Sequence, residues 1–130
     1  MNILGIDYGL KKVGLALAAD SPLAEPMATL ARKSDQQLIS ALAEIVDVHQ
    51  VGLVVLGLPA GVMAKKVRDF AGTLESAIKV PIKFVDEEYT SKQAQIHARQ
   101  AGKSGSKIKR KEHEWAATII LQSYIDSEYV

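Results

Sequence analysis

Residues 3–19 read Ile3-Leu4-Gly5-Ile6-Asp7-Tyr8-Gly9-Leu10-Lys11-Lys12-Val13-Gly14-Leu15-Ala16-Leu17-Ala18-Ala19, and the rest of the fold is built outward from them. Apolar runs at 3–6 and 13–19 flank a short polar gap. Gly9 in that gap accepts the positive φ of a tight turn, so the stretch predicts a β-hairpin. A weaker third strand is expected near 27–30, with Pro22 and Pro26 marking an irregular approach or an edge.

Helix and strand alternate downstream. Ser34 with Gln37 fits a capping box, and Leu38, Ile39, Leu42, Ile45 and Val46 recur at helical spacing, which predicts a helix over 35–49. Residues 51–57 are apolar without alternation, the pattern of a strand covered on both faces. A helix leading into such a strand implies a βαβ crossover. Met63, Val67, Phe70, Leu74 and Ile78 mark a second helix, and residues 81–85 a further strand that ends at Asp86-Glu87. A third helix is expected from Thr90 or Ser91 to about Gly102, then a mobile Gly/Ser/Lys-rich stretch at 102–106. The last helix is expected over 111–127, with His113, Ala117, Ile120 and Tyr124 on one face. Together these elements give an α/β fold, a mixed sheet with helices on both faces. At 130 residues the chain reads as one domain, 1–130.

Composition narrows the chemistry. Hydrophobic residues make up 48% and aromatic ones 5%, so the core is built from aliphatic side chains. Without cysteine, disulfides, thiolate metal sites and thiol nucleophiles are excluded. The opening apolar run has no basic flank, and the uncharged stretch 51–64 falls short of the ~18 residues of a membrane span. A cytoplasmic protein without a membrane partner is the expectation. The net charge of +1 hides an asymmetry: residues 89–111 carry seven basic and no acidic side chains, leaving nine basic against fifteen acidic elsewhere. Such a segment is either a solvated loop or a surface for a polyanion.

Acidic groups collect at predicted strand ends. Asp7 closes the first strand, where a carboxylate either forms the turn or belongs to a site. Asp86-Glu87-Glu88 is a self-repelling cluster that needs a cation or basic neighbours. His113 lies on the packed face of the last helix, as a satisfied core imidazole or as a ligand. If the two strands are parallel, their C-terminal edges coincide where α/β sheets bind ligands. Carboxylates gathered there would hold Mg²⁺ or Mn²⁺, which points to metal-assisted phosphodiester hydrolysis.

Ile6-Asp7-Tyr8-Gly9 with Lys11-Lys12 and Val13-Gly14-Leu15-Ala16 resembles the opening of the RuvX/YqgF family, Holliday-junction-resolvase-like proteins regarded as candidate nucleases of pre-16S ribosomal RNA. Val55-Leu56-Gly57-Leu58-Pro59, Val67-Arg68-Asp69-Phe70, Asp86-Glu87 with Tyr89-Thr90-Ser91, and Ala116-Ala117 with Ile120-Leu121-Gln122-Ser123-Tyr124 resemble the family's later motifs, in order and over nearly the whole chain. The resemblance implies an RNase H-like fold and a divalent-metal-dependent hydrolase in 5′-end processing of pre-16S rRNA during ribosome biogenesis in the cytoplasm. Its partner would be structured RNA or branched DNA. Carried over, the strand acids are Asp7 and Glu87, beside Asp86, while His113 takes the position of the family's closing-helix Asp. That exchange removes a hard oxygen ligand and supplies an imidazole that could act as third ligand or general acid/base. Glu88 stands where the family usually has Arg, and the loop after Leu58-Pro59 is shorter and lacks its Asp-Gly stretch.

Asp7, Glu87 and His113 are thus the expected catalytic residues, with Asp86 beside them as a metal ligand. Lys11, Lys12, Lys107, Lys109, Arg110 and Lys111 are the expected phosphate contacts. Two other readings compete. One is a nucleic-acid-binding or ribosome-assembly protein with a decayed site, motivated by the three departures. The other is a sugar-kinase-like or actin-like ATPase, whose phosphate hairpin also begins Asp-x-Gly but which needs a second such domain and a second Gly-rich loop.

Overall fold

The structure, a computed structural model, describes residues 1–87 and 112–128. The opening hairpin forms as β1 (Asn2–Asp7) and β2 (Lys12–Ala19), followed by β3 (Glu25–Ala31), α1 (Asp35–Val48), β4 (Val51–Leu58), α2 (Val62–Ile78), β5 (Ile82–Asp86) and α3 (Glu112–Glu128). The sheet order is β3-β2-β1-β4-β5. β2 pairs antiparallel with β1 and β3, whereas β1, β4 and β5 run parallel. The C-terminal ends of β1, β4 and β5 therefore share one edge. The expected helix over 90–102, the stretch 102–106 and the start of the last helix at Lys111 lie outside the described residues.

Period-two alternation divides the strands between two cores. Leu4 and Ile6 of β1, Val13 and Leu15 of β2, and Val54 and Leu56 of β4 pack against Leu38 and Leu42 of α1 and Phe70 and Leu74 of α2. On the opposite face Ile3, Ala16, Ala18 and Val55 meet Ala117, Ile120, Leu121 and Ile125 of α3. Helices thus cover both faces. The Ser34 side chain accepts from the Gln37 N–H at 3.2 Å and caps α1 as its sequence predicts.

Two expectations change. Among the described glycines only Gly61 has a positive φ, so Gly9 is not needed for a left-handed turn. It is needed for room, since a Cβ there would strike the carbonyl oxygen of Lys12. The burial of α3 is also wider than one stripe: Trp115, Thr118, Ile119 and Leu121 are buried along with Ala117 and Ile120, while Tyr124 is half-buried. α3 lies across all five strands of the sheet. No helix among the described residues is long and apolar enough to cross a membrane.

Candidate active site

Asp7 ends β1 on the α3 face, paired across the hairpin with Gly14. That partner decides the site. A Cβ on Gly14 would collide with the backbone carbonyl of His113, so only glycine lets the first turn of α3 settle onto the hairpin. His113 is thereby brought to Asp7, its Nδ1 3.9 Å from Asp7 Oδ2, and its Nε2 faces Glu112 Oε1 at 3.7 Å. The Asp7 and His113 side chains are 19% and 33% exposed, sheltered but reachable from solvent. Glu87 follows β5 and hydrogen-bonds Asp7. Its side chain lies over Gly57, where a Cβ would come 2.7 Å from Glu87 Oε1.

Parallel register separates the two neighbouring acids. Asp86 is paired with Leu58, which packs on the α1/α2 side, so Asp86 belongs to that face and Glu87 to the face of Asp7. The Asp86 charge still acts on Glu87. Lys11 and Lys12 are exposed on the turn and at the start of β2, beside Asp7. Lys107, Lys109, Arg110 and Lys111, like Glu88, lie outside the described residues.

Burial pushes the Asp7 carboxyl above its ordinary value, and Glu112 adds to this; the hydrogen bond from Glu87 and the charge and hydrogen bond of His113 oppose it. Glu87 rises further, to about 7, through burial, its hydrogen bond to Asp7, and the charges of Asp7 and Asp86. As pH falls below about 7 the two carboxyls come to share one proton, with Glu87 as donor to Asp7. Among the described residues no three His, Asp or Glu side chains gather so as to hold a metal ion between them. The donor set does fit a cation that takes two carboxylates and completes its shell with water and substrate phosphate, as Mg²⁺ does. Such a cation would replace the shared proton of Asp7 and Glu87.

The sequence reading missed a second network, behind the same turn. Tyr8 OH donates to Asp35 Oδ1 at 2.7 Å, and Arg32 Nε donates to both, at 3.1 Å and 2.8 Å. Arg32 also donates to the carbonyls of Leu10 and Lys11, at 3.2 Å from a guanidinium nitrogen and 2.8 Å from its backbone N–H. Its guanidinium lies 5.6 Å from the Tyr8 ring centroid, and that ring stacks on Phe70 at 4.5 Å. Burial and Asp35 push the Tyr8 hydroxyl up. Burial alone would raise Asp35, but its bonds to Arg32 and Tyr8 prevail and hold it below the ordinary carboxylate range. The network fastens the turn that carries Asp7, Lys11 and Lys12. The only signal in the sequence was the i,i+3 spacing of Arg32 and Asp35.

A profile of the RuvX family, described as Holliday junction resolvase, matches residues 1–127. The chain belongs to the RuvX family. This RuvX chain is 38% identical over 137 residues to a protein of Caldanaerobacter subterraneus subsp. tengcongensis named as a candidate pre-16S rRNA nuclease, covering 98% of each chain. It is 36% identical over 132 residues to a Chloroflexus aurantiacus protein of the same name, covering 96% of this chain and 86% of that one. In shape it matches T. thermophilus RuvC, solved in complex with a Holliday junction, with a TM-score of 0.61, 14% identity and coverage of 98% and 95%. That likeness is one of fold: the RuvX chain has the RNase H-like architecture that the opening motif implies.

Proposed function

We propose that this RuvX chain, acting as a single domain in the cytoplasm, is a divalent-metal-dependent nuclease that processes the 5′ end of pre-16S rRNA. The observation that carries the reading is the pair of touching carboxylates, Asp7 and Glu87, with His113 Nδ1 3.9 Å from Asp7 at the C-terminal edge of the parallel strands. Asp7 and Glu87 would hold Mg²⁺ or Mn²⁺, which when bound supplies an activated water and stabilises the leaving oxygen. Asp7 also faces His113 Nδ1 and so orients the ring, leaving Nε2 to carry a proton. Lys11 and Lys12 offer phosphate contacts beside the carboxylates, giving affinity that falls with salt. His113, with Nδ1 turned to Asp7 at 3.9 Å, suits a proton carrier better than a third ligand.

The test is incubation of the purified protein with labelled pre-16S RNA and with branched DNA, in Mg²⁺ or Mn²⁺, beside Asp7→Asn. Cleavage of the RNA that falls by about 10²-fold or more in the variant is expected; undiminished cutting would eliminate the mechanism. Preference for the branched DNA would instead favour the activity for which the family profile is named. A second reading, a nucleic-acid-binding or ribosome-assembly protein without catalysis, draws on the lack of a three-ligand cluster among the described residues. Calorimetric titration with Mn²⁺ separates the two, because a decayed site gives no binding that Asp7→Asn removes.

A further inference from the structure

On the face of the sheet opposite Asp7, the β1–β2 turn, α1 and α2 enclose a cleft of about 330 Å³. Leu10, 50% exposed, and Phe70 give it an apolar wall. Arg32 and Lys66 line it together with Asp35 and Asp69, so the charges inside are balanced. A balanced lining does not suit a free phosphate or carboxylate. It suits a neutral heteroaromatic group that both donates and accepts hydrogen bonds, and the Thr73 hydroxyl, whose own proton goes to the Asp69 carbonyl at 3.2 Å, adds an acceptor. The bonds of Arg32 to Tyr8, Asp35 and Leu10 hold the wall in place without a ligand, so the cleft is preformed.

Unbalanced positive charge sits outside the cleft. Lys11 and Lys12, which follow the lining residue Leu10 along the same hairpin, are exposed. Asp7 and Tyr8 are successive residues at the end of β1, so the carboxylate pair and the cleft lie on two sides of one turn. A strand crossing that turn would carry its phosphates over Lys11 and Lys12. We infer that the cleft receives the base of one unpaired nucleotide of the bound strand while its phosphates lie on the lysine rim. The inference rests on the nucleic-acid reading above and adds a preference for a locally unpaired strand, since a duplex keeps its bases stacked inside.

Binding is measured in the Asp7→Asn background without metal, so that no strand is cut. The probes are a short fluorescein-labelled unstructured RNA and a blunt RNA duplex, read by anisotropy. Thr73→Trp, an exposed position on α2, plugs the cleft, and Leu10→Ala trims its wall. Each is expected to weaken the single strand by about tenfold while leaving the duplex nearly unchanged. Lys79→Ala, at the far end of α2, should alter neither, and thermal melts confirm that the variants are folded. Loss of equal size on both probes, or no loss on either, overturns the cleft and leaves the nuclease reading standing. If neither probe binds the unplugged protein, the nucleic-acid reading falls, and this inference with it.

Discussion

Near neutral pH Glu87 is only partly ionised, where an ordinary glutamate would have lost its proton, and the sign of the resulting stability effect can be worked out. Its carboxyl titrates near 4.5 when unfolded and near 7 when folded. The folded chain binds the proton more tightly, so this stabilisation is complete below the unfolded value and is lost as pH rises through the folded one. Asp7 is shifted in the same direction. The metal-free protein should therefore melt a few degrees lower at about pH 8 than at about pH 5, and Glu87→Gln should remove most of that fall. Mg²⁺ or Mn²⁺ should raise the melting temperature more at the higher pH, where the carboxyls are free of protons. Scanning calorimetry of both proteins checks this, and an unchanged pH slope in Glu87→Gln would contradict it. Both acids were visible in the sequence because strand ends are where such residues stand out. The family resemblance already favoured Glu87 over Asp86, but the residue pattern alone left both open, because the physical reason lies in the pairing of β5 with β4, which a single strand does not carry.

Packing between elements depends on Gly14 and not on Gly72. Gly14 holds open the place where α3 meets the hairpin, whereas Gly72, exposed within α2, has nothing within 4 Å of where a Cβ would stand. Gly14→Ala should destabilise the fold by ~1–3 kcal/mol, because the backbone of α3 must retreat, and should reduce cleavage by drawing His113 away from Asp7. Gly72→Ala should stabilise it by ~0.5–1 kcal/mol through helix propensity alone. Urea titration of both variants reads the two signs. The elements themselves were legible, from the hairpin of 3–19 to the capped α1, since turn chemistry and periodicity are local signals. The broad burial of α3 was not, because spacing along a helix marks its apolar face but not how much of its circumference tertiary packing covers. Nor was the clamp of Arg32 on Tyr8, a contact between residues 24 apart.

Across the whole molecule charge is sorted by position. The lysines of the β1–β2 turn share an edge with the acidic pair, and the basic stretch 89–111 is the longest run of the sequence without acids. Replacing Lys11 and Lys12 together by Gln should weaken RNA binding evenly across sequences and lower the slope of log K against log salt by about 1–2. Binding titrations at several salt concentrations measure it, and an unchanged slope would place the phosphates elsewhere. The adjacency of Asp7 and Tyr8 has a further consequence for how this architecture can change. Odd and even positions of β1 serve separate surfaces, so deleting or inserting one residue upstream of Asp7 would exchange them, burying the acid among Leu42 and Phe70 and turning the phenol toward α3. Changes of two residues would preserve parity. Lineages of this scaffold are thus free to vary the length of their connections but must alter this ribbon in even steps.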